Sequence, residues 1–137
     1  MLLTAQLREH DIASDEQQLR AVVEGVIADA RHGFILLAER NDRIAGIAYV
    51  ASHLSAEHGG VVGWLEELYV APEQRGVGVG SALLGEITAA VQQLGWRALE
   101  LEVVAGHERA VPLYERHGFT ALTRSRYTKL IDAPRNG

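Results

Sequence analysis

The chain of 137 residues has no cysteine. That excludes disulfides, thiolate metal sites and a cysteine nucleophile together, and it fits a reducing cytoplasm. Basic clusters are missing as well. Thirteen Lys and Arg stand against eighteen Asp and Glu, for a formal net charge of −5. Phosphate neutralisation needs Lys and Arg gathered on one face, so the sequence argues against a nucleic-acid partner. No apolar run approaches the ~20 residues that span a bilayer. Met1-Leu2-Leu3 is followed by polar residues, so neither a membrane span nor a secretory signal is expected. There is no internal repeat or low-complexity segment. The histidines, including His53, His58 and His117, lack metal-ligand spacing, so no metal is expected.

What is present is the balance of a globular protein, 47% apolar and 23% charged. The length suits one core and is too short for two. A single domain over residues 1–137 is expected, ending in a polar tail at 132–137. A mildly acidic surface suits a cationic small substrate.

Leu3 to Arg8 alternates as a first strand does. Ser14-Asp15-Glu16-Gln17 has capping-box spacing. Leu19, Val22, Val23, Val26, Ile27 and Ala30 then form the apolar stripe of a helix. Gly25 reads as a break within it and Gly33 as its left-handed stop. Phe34 to Glu39 and Ile44 to Ser52 read as a hairpin around Asn41-Asp42. Residues 54–60 read as a loop. Val61 to Val70 is a fourth strand, ended by Pro72. Leu83, Leu84, Ile87, Val91 and Leu94 mark a second helix, closed by Gly95. Leu99 to Val104 reads as a strand. A short helix is expected from about His107 to His117, distorted in its first turn by Pro112. Gly118-Phe119 leads into a further strand, and Arg126 to Ile131 reads as a last one. The order implies a mixed α/β sheet with helices on its faces.

The segment that carries chemistry lies between the fourth strand and the second helix. There Arg75-Gly76-Val77-Gly78-Val79-Gly80-Ser81 packs three glycines into five residues. The first amides of a helix have no internal partner, and the helix dipole adds positive character at that end. Glycines let an anion approach the backbone without a Cβ in the way. A diphosphate is the natural guest. A Walker loop would need a lysine here, and none is present. Gly76-x-Gly78-x-x-Ser81 approximates a dinucleotide fingerprint, with Glu100 near the distance of a ribose-binding acid, but Glu100 falls inside a strand rather than at its end. A tight turn serving only the fold is the bland alternative.

Arg75-x-x-Gly78-x-Gly80 resembles the Q/R-x-x-G-x-G/A motif of the GCN5-related N-acetyltransferases (GNAT). Leu65 through Leu84 is similar to that superfamily's fourth strand, turn and third helix. Ala110-Val111-Pro112-Leu113-Tyr114-Glu115-Arg116-His117-Gly118-Phe119 resembles its second signature, A-x-x-L-Y-x-x-x-G-F, and Arg126-Tyr127-x-Lys129 a common closing strand. The resemblance extends over nearly the whole chain. It implies an acyl-CoA N-acyltransferase fold, with a mixed antiparallel and parallel sheet of six or seven strands flanked by helices.

It also implies acetyl-coenzyme A as co-substrate. Its diphosphate would meet Gln74, Arg75, Gly76, Val77, Gly78, Val79, Gly80 and Ser81, with the backbone amide of Arg75 favoured over its side chain. Leu68, Tyr69 and Val70 would run beside the pantetheine arm where the strands splay. His107 stands where the family often carries an asparagine; it would donate a similar bond to the arm or cap the helix.

The amine would attack the thioester directly, which agrees with the lack of cysteine. A lysine-like amine with pKa ~10.4 costs about 4.6 kcal/mol to neutralise at pH 7, and a general base contributes ~10²–10⁴ in rate. Glu66 and Glu67 both stand near the required place. Strand alternation sends them to opposite faces, Glu66 with Leu68 and Val70, Glu67 with Tyr69. The run Leu65-Glu66-Glu67-Leu68-Tyr69-Val70 resembles polyamine-type relatives whose catalytic Glu corresponds to Glu66. Tyr114 corresponds to the family's general acid. Trp64 and Tyr49 are core or acceptor-pocket residues. The favoured function is N-acetylation of a small-molecule amine. A protein N-terminal or lysine acetyltransferase and a non-catalytic acetyl-CoA sensor are the alternatives. A homodimer is expected only from the habit of soluble oligomers.

Overall fold

The computed structural model describes residues 16–132. The expected strand at Leu3–Arg8, Ser14 and Asp15 of the capping box, and the tail beyond Asp132 lie outside the described residues.

Helix α1 runs Glu16–Ala28. Gly25 does not divide it. A 3-10 turn, Ala30–His32, follows, started by Asp29, whose side chain accepts from the Arg31 amide. Gly33 then begins β1, Gly33–Arg40, and its φ of 125° is not that of a left-handed helix cap. A Cβ there would lie 1.9 Å from the Val50 carbonyl oxygen, so contact with the neighbouring strand explains the glycine. Asn41 and Asp42, both at positive φ, make the two-residue turn favoured between twisted strands. Strand β2, Arg43–Ser55, pairs antiparallel with β1. After a turn, β3, Gly60–Val70, pairs antiparallel with β2.

Helix α2, Val79–Gln93, buries Val79, Leu83, Leu84, Ile87 and Val91. These meet Ala45, Ala48, Val50 and Leu65 on one face of the sheet. Leu84, Ile87, Val50 and Val62 are the largest fully buried side chains, each stabilising by about 1.5–3 kcal/mol through apolar burial. The opposite face holds a smaller cluster, Ile47 and Tyr69 with Val23 of α1 and Ile35. Among the described residues no helix is long and apolar enough to cross a membrane.

Strand β4 is only Ala98–Glu100 and pairs parallel with Val62–Trp64 of β3. The sheet order is β1-β2-β3-β4, both antiparallel and parallel as expected. The count is not: four strands form among the described residues, not six or seven. Residues 101–104 leave the ladder. The two C-terminal strands expected after Gly118 do not form. Tyr127, Leu130 and Ile131 are 91%, 89% and 81% exposed, so their apolar alternation meets no sheet face. Alternation shows that a segment fits a pleated surface, and a partner edge is a separate requirement. Arg124 pairs with Glu57 of the β2–β3 turn at 2.7 Å and Arg126 with Glu102, just past β4, at 2.8 Å.

The third helix, α3, spans Val111–Arg116 behind a 3-10 turn at Glu108–Ala110. Pro112 therefore falls in the first helical turn, where its missing N–H costs little.

Candidate active site

The glycine turn sits where β3 hands the chain to α2. Pro72–Gln74 forms a 3-10 turn, and Gly76 and Gly78 take φ of 81° and 87°. Gly78 is the residue before α2, and no side chain caps that helix. The amides at the start of α2 therefore keep their capacity for an external acceptor. Nothing stands within 4 Å of a Cβ placed on Gly76 or Gly78. Open space, first-turn amides that no side chain caps and the positive end of a helix suit a diphosphate.

Side chains around the turn have other partners. Gln74 is buried, and its Oε1 accepts from Arg40 at 3.1 Å. Arg75 folds back: its Nε donates to the Val70 carbonyl at 3.0 Å, and its guanidinium lies 5.5 Å from the centre of the Tyr69 ring. Its backbone amide is engaged as well, donating to the Pro72 carbonyl at 3.4 Å. The Tyr69 ring belongs to the core facing α1, and Val79 to the core facing α2, while Val77 is half-exposed. Ser81 Oγ is hydrogen-bonded to Nε2 of His117 at 2.9 Å. The sequence marked His117 only as lacking metal-ligand spacing. With the partners 36 positions apart in sequence, no local signal marks the pair.

Past Trp64, the β4-side edge of β3 has no ladder to β4. Leu68 and Val70 lie on this unpaired stretch and pack toward α2. Beside the divergence opens a broad cleft of about 1950 Å³, lined in part by Trp64, Glu66, Leu99, Leu101 and Tyr114. Burial raises the Tyr114 hydroxyl above its ordinary pKa, so it stays protonated at neutral pH. Its ring meets Phe119 edge-on at 5.9 Å. The His107 amide donates to the Val104 carbonyl at 3.0 Å, and His107 precedes the Glu108–Ala110 turn without a side-chain cap.

The two acids do not diverge as simple alternation requires. Tyr49 pairs with Glu67 and Val50 with Leu65, which makes Glu66 the extra residue of a β-bulge. A bulge resets the alternation. Leu65 and Leu68 consequently pack against the same α2 core, and Glu66 joins Glu67 on the α1 side. There both carboxylates line a second cavity of about 140 Å³ with Val22, Val23, Val26, Ile35 and Tyr49. The expectation that Glu66 shares a face with Leu68 and Val70 is thus overturned.

Among the described residues Glu66 alone lines both the small cavity and the broad cleft. Burial raises its pKa, opposed by the charge of Arg126. Burial and then the Glu66 charge push Glu67 up to about 7. Tyr49 is raised first by burial and then by Glu66. Trp64 lies under Arg126, whose guanidinium is 4.6 Å from the ring centre. Glu100 faces His58 at 3.6 Å, which removes it from a ribose-binding role at the turn.

A family model described as the acetyltransferase (GNAT) family matches residues 3–119. Over 90 residues the chain is 36% identical to a mycothiol acetyltransferase of Pseudarthrobacter chlorophenolicus, covering 64% of this chain and 27% of that protein. It is 36% identical over 62 residues to a bovine thialysine N-epsilon-acetyltransferase, covering 45% of this chain and 36% of that one. The chain thus spans about a quarter to a third of the length of these curated relatives. An integron cassette protein from a salt-marsh metagenome superposes with a TM-score of 0.85 at 24% identity, over 97% of this chain and 82% of the other. A Clostridium acetobutylicum structure with acetyl-CoA, described as a predicted acetyltransferase, gives 0.74 at 18% identity, over 92% and 84%. At those identities the two structures speak to the fold alone.

Proposed function

Since the chain belongs to the acetyltransferase (GNAT) family, whose acyl donor is acetyl-coenzyme A, we propose that it transfers acetyl to the primary amine of a small molecule. The observation that carries this reading is the position of Glu66, the residue shared by the small cavity and the broad cleft. A base serving direct transfer belongs between the acceptor and the thioester, and the broad cleft that Glu66 lines also holds Tyr114, the proposed acid for the departing sulfur.

The chemistry divides among the chain's own groups. Amides of the Gly76–Ser81 turn hold the diphosphate. The unpaired edge of β3 offers the backbone groups of Leu68 and the amide of Val70 to the pantetheine arm, the Val70 carbonyl being engaged by Arg75. Glu66 takes a proton as the amine nitrogen attacks, forming the N–C bond. The C–S bond breaks with its electron pair on sulfur, and Tyr114 returns a proton there. Glu67 adds negative charge beside the incoming ammonium. Burial lifts both carboxyls toward the pH range where a carboxylate works well as a base.

A small cavity supports a small-molecule acceptor over a protein chain, which needs an open groove. The two relatives named above, for mycothiol and for thialysine, are consistent with that. A thiol-release assay with acetyl-CoA and a panel of primary amines is the test. Turnover with at least one small amine, lost in E66Q, is expected. Binding of acetyl-CoA without turnover of any amine would instead mark a sensor.

A further inference from the structure

We propose that the acceptor is a primary amine bearing a compact hydrocarbon group, branched or cyclic and about the size of a benzene ring, rather than a polyamine or a second cation. This rests on the reading of the cavity as the acceptor pocket.

The wall chemistry is divided. Val22, Val23 and Val26 from α1 and Ile35 from β1 supply the apolar side, and Glu66, Glu67 and the Tyr49 hydroxyl the polar side. Both acids face this cavity because of the bulge at Glu66. An ammonium group held by the carboxylates therefore directs the rest of its molecule toward three valines and an isoleucine. A second charge there would lose water and gain no partner among these residues, which is costly. Size follows from the volume of about 140 Å³. An apolar cavity of ~150 Å³ takes a benzene-sized guest.

Val22 is 49% exposed and lines the cavity, so a larger side chain at this position narrows the cavity without disturbing the buried core. Val26 is buried and is the riskier site for the fold.

The test pairs binding with turnover. Straight and branched alkylamines, benzylamine and putrescine are titrated by calorimetry into the full chain with coenzyme A present, and the same amines are assayed for acetylation. Affinity is expected to rise about fourfold per added methylene, the fold-change for ~0.8 kcal/mol, until about six carbons, and then to fall. Putrescine should bind at least tenfold more weakly than an alkylamine of matching length. V22W should move the cutoff to shorter tails while thermal stabilisation by coenzyme A is retained. V23A should move it to longer ones. Graded binding without acetylation leaves this specificity standing and removes the catalytic reading. Affinity independent of the tail, or a preference for putrescine, overturns the proposal even if acetylation is fast.

Discussion

The hydroxyl of Ser81 and Nε2 of His117 lie 2.9 Å apart, joining the first turn of α2 to the C-terminal end of α3. One helix begins at the turn proposed to hold the diphosphate and the other carries Tyr114, the proposed general acid, so the bond links these two parts of the proposed site. The pair is solvent-accessible, so its contribution falls toward the low end of the ~0.5–1.5 kcal/mol range. H117A is expected to weaken coenzyme A binding about threefold by calorimetry and to leave the melting temperature within a degree or two.

Glu66 and Glu67 should separate kinetically. E66Q is expected to lower kcat by ~10²–10⁴ at pH 7.5, the span of general-base catalysis, with acetyl-CoA binding unchanged. E67Q should retain most of kcat and weaken amine binding. Because the charge of Glu66 helps hold Glu67 near 7, E66Q should also lower the Glu67 pKa, which carboxyl-detected NMR titration would show. Equal losses of kcat in the two variants would count against the division of roles.

Stability should carry the mark of Glu67. Its pKa rises from 4.5 in the unfolded chain to about 7 on folding. Below pH 4.5 the carboxyl is neutral in both states and imposes no penalty. Between 4.5 and 7 the unfolded chain loses its proton first, so stability falls as pH rises, and above 7 the loss is complete. With allowance for its partial contact with water, the penalty is about 1–2 kcal/mol. E67Q should therefore raise the melting temperature at pH 8 by several degrees relative to wild type and change it little at pH 4.

Y114F should fold normally and reduce kcat about tenfold. This is less than the full span of acid–base catalysis, because a thiol of pKa ~8.5 is already a tolerable leaving group. The loss should be greater with thioesters of more basic thiols.

Two glycine substitutions distinguish backbone strain from collision. G78A places alanine at φ 87° in open space. It should cost about 1–2 kcal/mol and more in coenzyme A affinity than in stability. G33A drives a Cβ to within 1.9 Å of the Val50 carbonyl oxygen, at the open end of the β1–β2 ladder. It should abolish folding or lower the melting temperature by more than 10 °C, with no specific effect on the ligand.

Elements with local causes were legible in the sequence. The apolar stripe of α2, the Asn41-Asp42 hairpin turn and the stop at Pro72 each depend on neighbouring residues, and the structure has them where the pattern indicates. The glycine turn at the start of α2 was equally visible, because its glycines and the helix start are contiguous. Features that depend on a distant partner were not. The bulge at Glu66 arises from the register between β2 and β3, so two adjacent acids read as facing apart. The Ser81–His117 bond and the short β4 depend on how far the chain folds back. The valines of α1 looked like ordinary core, since a cavity is missing material and leaves no pattern. Leu122, Tyr127, Leu130 and Ile131 have the composition of strands without an edge to pair with.

The bulge at Glu66 also bears on how this chain is compared with its kin. One inserted residue lies beside an identical one, so an alignment can open its gap on either side and score Glu against Glu both ways. The two placements exchange the carboxylate that reaches the cleft for the one that does not. Transferring a role to this chain by column is therefore safe only when the strand register has been matched first.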